Sequence, residues 1–130
     1  MGPNVFLSFA TEHKPLVDLF RGQVQNSRSA LTFRDYLIQE PVAGAWKPYA
    51  ERLIRASTAT LCLVGETTWR SEPVNWEVRR STQLRKPVLA VYLQPETIRI
   101  PDALAEIGIT PLPWNVDIVL GKLNEQRQPS

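Results

Sequence analysis

Cysteine and histidine each occur once in the 130 residues. A lone cysteine, Cys62, excludes an intrachain disulfide, and its place inside the apolar run TLCLV makes it a small buried hydrophobe. A thiol used in that way points to a reducing, cytoplasmic setting. One histidine, His13, beside one buried cysteine is too little for zinc, so no metal is expected. His13 itself reads as a solvated first-turn residue. Glycine numbers only six, and the phosphate cradles built on it are missing: there is no GxGxxG, no GxxxxGK(S/T) and no GxSxG elbow. An excess of one charge sign is lacking too. Fifteen basic residues against thirteen acidic ones leave +2, and no basic cluster carries interleaved aromatics, so no nucleic-acid partner is expected. No basic segment leads into a long apolar run at the start, and no stretch is long enough for a bilayer. Neither a signal peptide nor a membrane partner is expected.

The length suits one domain, 1–130, with a core over about 4–125 and a frayed polar tail, NEQRQPS. Two textures alternate along it. Residues 4–10 (NVFLSFA), 30–35, 58–65 (TATLCLVG) and 87–94 (PVLAVYLQ) are short, apolar and β-rich. Between them, residues 12–25 place Leu16, Leu19, Phe20 and Val24 on one helical face. Residues 46–56 do the same with Tyr49, Ala50, Leu53 and Ile54. Residues 72–85 form a third helix, capped by Ser71 with Pro73 in its first turn. A short helix over 100–108 stops at Gly108, and a last one follows Trp114. Residues 109–114 (ITPLPW) make a poor strand, which its two prolines confine to a sheet edge.

Strands and helices in this alternation predict an α/β fold, a flavodoxin-like doubly wound sheet of five parallel strands in the order 2-1-3-4-5. The continuous apolar runs of the third and fourth strands make those central. In that order the chain reverses direction between strands one and three, and ligands bind at the carboxyl ends there. The search therefore narrows to SFATEH, 8–13, and GETTW, 65–69. A phosphorelay receiver needs acidic residues after strand one and an Asp at the end of strand three, which the ends SFAT and VGET do not supply, and SFATEHKP lacks the glycine of a flavin-phosphate loop. What remains is a carboxylate with aromatics: Glu77, Trp76, Trp69 and Phe9.

Ordinary glycosidases need a second carboxyl to protonate the departing oxygen. A nicotinamide riboside bond does not, because the cationic nicotinamide leaves as a neutral molecule. One anion beside the ribose stabilises the oxocarbenium-like transition state, and flanking rings stack the bases. This chemistry is permitted by the residues, not required by them. Glu77 has a plain alternative as a solvated helix residue or a partner of Arg80, and both tryptophans as covers for a core edge.

The segments VFLSFA, FRD, RLIRASTATLCLVGETTW and NWEVRRSTQLRKPVLAVYL, in that order and spacing, resemble a TIR or TIR-like domain over residues 4–94, with a looser match beyond. The nearest subgroup is the TIR-like protein of the bacterial Thoeris anti-phage system. The resemblance implies that Glu77, following Trp76, is catalytic. It also implies that Phe9, Ala10, Trp69 and Trp76 shape a pocket and that Asp35 or Tyr36 faces substrate. NAD would be substrate and no cofactor would be held. The products would be nicotinamide and an ADP-ribose-type nucleotide, cyclic in Thoeris proteins, which signals to a separate effector in antiviral defence. Two other readings stay open. One is a non-catalytic, self-associating TIR-like module that uses the loop YLIQEPVAGA. The other is a nucleoside deoxyribosyltransferase with a helix glutamate as nucleophile.

Overall fold

The computed structural model describes residues 4–26, 32–34 and 46–127. Four parallel strands form its sheet: β1 (Asn4–Phe9), β2 (Thr32–Arg34), β3 (Ala59–Val64) and β4 (Val88–Tyr92), in the order β2-β1-β3-β4. β1 and β3 are neighbours, with Phe6 opposite Thr60 and Ser8 opposite Cys62. Every residue of β3 is buried, as its almost wholly apolar sequence requires of a strand covered on both faces.

Alternation along the strands sends two sets of side chains to opposite faces. Val5 and Leu7 of β1, Leu61 and Leu63 of β3, and Val91 of β4 meet α1 (Lys14–Asn26) and α5 (Val116–Arg127) through Val17, Phe20, Val24, Val119 and Leu123. Cys62, Val64, Val88 and Ala90 meet α3 (Glu72–Gln83) and the short α4 (Asp102–Glu106) on the other face. Beside them Phe6 packs on Ala50 and Ile54 of α2 (Trp46–Arg55). The expected α1 face holds for Phe20 and Val24. Leu19, however, is 55% exposed and Val17 takes the core position, because a stripe at 17, 20 and 24 fits the helical period better.

The expected fifth strand is, among the described residues, a single parallel bridge between Leu112 and Val91. Leu112 donates its N–H to Ala90 and accepts from Tyr92. Pro111 and Pro113 on either side have no N–H to continue a ladder. Where the chain must turn, local chemistry agrees with the sequence. Ser71 accepts from the Val74 N–H at the start of α3. Gly108, at φ +71°, supplies the left-handed residue beyond α4. The loop 36–45, expected as a contact surface, lies outside the described residues.

Candidate functional site

The carboxyl ends of β1 and β3 open into a cavity of about 520 Å³, within the size range of small-molecule sites. Its wall takes Leu7, Phe9 and Ala10 from β1 and its end. Thr11, Glu12 and Lys14 come from the turn into α1, Thr67, Arg70 and Ser71 from the loop after β3, and Pro73 and Glu77 from α3.

Glu77 is there because of the phase of α3. Val74, Glu77, Val78 and Ser81 are its buried residues, spaced as one stripe of a helix facing the sheet. The two valines join the core, and the same geometry presses Glu77 against β1, at 3% exposure. Ser8 meets it there. Its Oγ donates to Glu77 Oε1 at 2.6 Å between two buried groups. One turn on, Ser81 Oγ donates to the Glu77 carbonyl at 2.7 Å. That leaves Thr60 as the donor in its 2.7 Å bond with Ser81, since Ser81 has only one proton to give. A polar seam of Ser8, Glu77, Ser81 and Thr60 thus runs between α3 and the two central strands. Burial, and then the nearby Glu77 charge, push the Cys62 thiol far above its ordinary range. The expected alternative partner of Glu77 is engaged elsewhere: Arg80 bonds Glu51 of α2 at 2.6 Å.

The opposite wall is held by a second polar cluster. His13 is buried, at 8% exposure, rather than solvated as expected. Its ring lies against the backbone of Gly65, where a Cβ would stand 2.5 Å from two ring atoms. Nε2 is 3.0 Å from Thr67 Oγ1, and that hydroxyl donates to Glu12 Oε2 at 2.7 Å. With the threonine proton committed to Glu12, His13 must be the donor to Thr67. The Thr67 hydroxyl, with help from backbone and from the charges of His13 and Arg70, holds the Glu12 carboxyl below its ordinary range. The loops after β1 and β3 are tied together by these bonds.

Of the residues expected at the site, Phe9, Ala10 and Glu77 share this cavity. Trp69 does not line it. Its ring lies under the Arg99 guanidinium at 3.7 Å, and its carbonyl accepts from Asn75. Trp76 packs edge-on against Trp46, centroids 5.1 Å apart, over the apolar cluster at Phe6. Asp35 and Tyr36 lie outside the described residues. Sequence reasoning passed over Ser8, Glu12, Lys14, Thr67 and Arg70. Ser8 had a signal: it is a polar residue on the inward face of an apolar strand, where it needs a partner. Among the described residues no group of three His, Cys, Asp or Glu could hold a metal ion. No helix there is long and apolar enough to cross a membrane.

Residues 6–97 match the family described as Thoeris protein ThsB, TIR-like domain. Among solved structures the fold is similar to the TIR domain of the Toll-related receptor TRR-2 from Hydra magnipapillata. The identity is 12%, 95% of this chain and 98% of that chain are covered, and the TM-score is 0.68. It is also similar to the TIR domains of the activated Roq1 resistosome, which directly recognises the pathogen effector XopQ. There the identity is 14%, coverage is 70% of this chain and 57% of that one, and the TM-score is 0.50. No curated protein matches the sequence.

Proposed function

The chain belongs to the Thoeris ThsB TIR-like domain family, and on that premise we propose that it cleaves the nicotinamide–ribose bond of NAD in the cavity between β1 and α3. One observation carries the reading: the Glu77 carboxyl, buried in the cavity wall and gripped by Ser8 at 2.6 Å. A buried acid costs stability unless it is bonded. This one stands at the carboxyl ends of the strands, where doubly wound folds bind ligands.

In this mechanism the ribose lies against Glu77, with Phe9 and Ala10 as wall. Nicotinamide departs as a neutral molecule, so no general acid is needed. As the C–N bond breaks, positive charge grows on the ribose, and the Glu77 carboxylate stabilises it from a position Ser8 has already fixed. Water captures the ribosyl cation and releases a proton to solvent, giving ADP-ribose. Capture by a nucleophile of the same molecule gives a cyclic nucleotide instead, the signal that would reach a separate effector in antiviral defence. Trp69 and Trp76 act behind the wall, bracing the loop and helix that carry Arg70 and Glu77. Self-association of copies in the cytoplasm completes the proposal.

The experiment is release of nicotinamide from NAD by the purified chain, at low and high protein concentration and with phage-infected lysate added. Glu77→Gln should lower the rate by at least about 100-fold while circular dichroism and the unfolding midpoint stay native-like. Absence of nicotinamide under all these conditions, or a Glu77→Gln protein as active as the parent, refutes the reading.

A further inference from the structure

The cavity has two chemically different ends. At the inner one, Glu77 is buried beside Ser8. The outer wall carries two cations, Lys14 and Arg70, against the single carboxylate of Glu12. Lys14 already holds Asp18 at 2.9 Å on its own helix, at the exposed surface. Arg70 ends the 3-10 turn Thr68–Arg70, is exposed, and makes no ion pair among the described residues. Its charge is felt by Glu12. The Arg70 fork is thus the cation of this wall with the most unused donor capacity.

We infer that Arg70, assisted by Lys14, receives the diphosphate of a nucleotide whose ribose faces Glu77. The inference rests on the reading of the site given above and fixes the direction in which substrate lies. A nicotinamide dinucleotide is polar in the same sense as the cavity, with a cationic ring at one end and a dianionic diphosphate further along. Turned the other way, it would set its diphosphate against a buried acid. Arg70, on the turn before α3, and Glu77, within α3, line the same cavity. Arginine binds two phosphate oxygens at once through its planar fork, which lysine cannot.

The test uses the full chain and two readouts. Binding of ADP-ribose is measured calorimetrically for the parent, Arg70→Ala, Arg70→Lys and Lys14→Ala. Nicotinamide release is compared between NAD and nicotinamide riboside, which has no diphosphate. Arg70→Ala should weaken ADP-ribose about tenfold, the scale of one charge-assisted contact, and lower the preference for NAD over nicotinamide riboside by a similar factor. Arg70→Lys should fall between parent and Arg70→Ala. Added salt should narrow the gap between them, because exposed charges are screened. ADP-ribose affinity within about twofold of the parent in Arg70→Ala, or a parent that binds no ADP-ribose, overturns the inference. Binding that depends on Arg70 without nicotinamide release keeps it and removes the cleavage reading. Release that depends on Glu77 with an unaltered preference for NAD in Arg70→Ala does the reverse.

Discussion

Gly65 directly follows β3 beneath the ring of His13, and replacing it with alanine puts a methyl group into occupied space. The added Cβ would lie 2.5 Å from His13 Cε1 and Nε2 and 2.7 Å from Cδ2. Those contacts are about an ångström too short, so the ring or the strand end must move. His13 is buried and bonded through Nε2 to Thr67, so the ring cannot swing aside without losing that bond. Overpacking of this kind costs about 1–3 kcal/mol and the lost hydrogen bond about 1 more. Gly65→Ala should therefore destabilise by about 2–4 kcal/mol in urea unfolding, read at constant slope. The double variant with His13→Ala isolates the cause. Removing the ring opens the space the methyl needs, so the two changes should be non-additive, the pair costing about 1–3 kcal/mol less than the sum. A Gly65→Ala protein within about 0.5 kcal/mol of the parent, or strict additivity in the cycle, would refute the packing argument and with it the clamp between the two loops.

Ser8→Ala deprives a buried carboxyl of its 2.6 Å donor, so unfolding free energy should drop by about 1–3 kcal/mol, and nicotinamide release should fall while NAD binding changes less. Cys62 is buried and its thiol is pushed up by burial and by Glu77, so iodoacetamide should label it only at the rate of global unfolding; rapid labelling of the folded chain would contradict this placement. Glu12 has its folded pKa lowered, first by the Thr67 hydroxyl, so its contribution is complete above the ordinary carboxylate range and is lost as pH falls through the lowered value. The stability difference between the parent and Glu12→Gln should accordingly be flat near neutrality and shrink in acid, and a gap that widens in acid would show the sign to be wrong.

Much of this architecture was legible because each level of the sequence pointed the same way. The largely apolar run ATLCLV marks a central strand, and Ser71 with Pro73 sets the start of α3. Reading failed where a choice depended on neighbours distant in sequence. From its sequence neighbours His13 reads as solvated, yet the fold delivers the bare backbone of Gly65 and the Thr67 hydroxyl to its ring. Trp69 and Trp76 flank the expected acid in sequence, but successive helix residues face different directions, so Trp76 points toward Trp46 while Glu77 points toward Ser8. The outer wall was missed for a related reason. Glu12, Lys14 and Arg70 come from two segments far apart in sequence, which β1–β3 pairing and the bonds of Thr67 bring together.

The phase of α3 also explains why truncating the side chain at this site perturbs fold and chemistry together. The stripe that drives the helix onto the sheet contains Val74 and Val78, and Glu77 sits between them in the same buried face. Rotating the helix to expose the acid would expose both valines, so the core itself holds the carboxyl toward the cavity. A truncation such as Glu77→Ala therefore mixes two losses, the charge and the packing of a buried side chain with its bond to Ser8. Glutamine keeps the volume and an oxygen to accept from Ser8, removing the charge while its second polar atom becomes an NH2 donor. The charge, rather than the shape, is what a developing ribosyl cation would detect, and that makes the amide the decisive substitution.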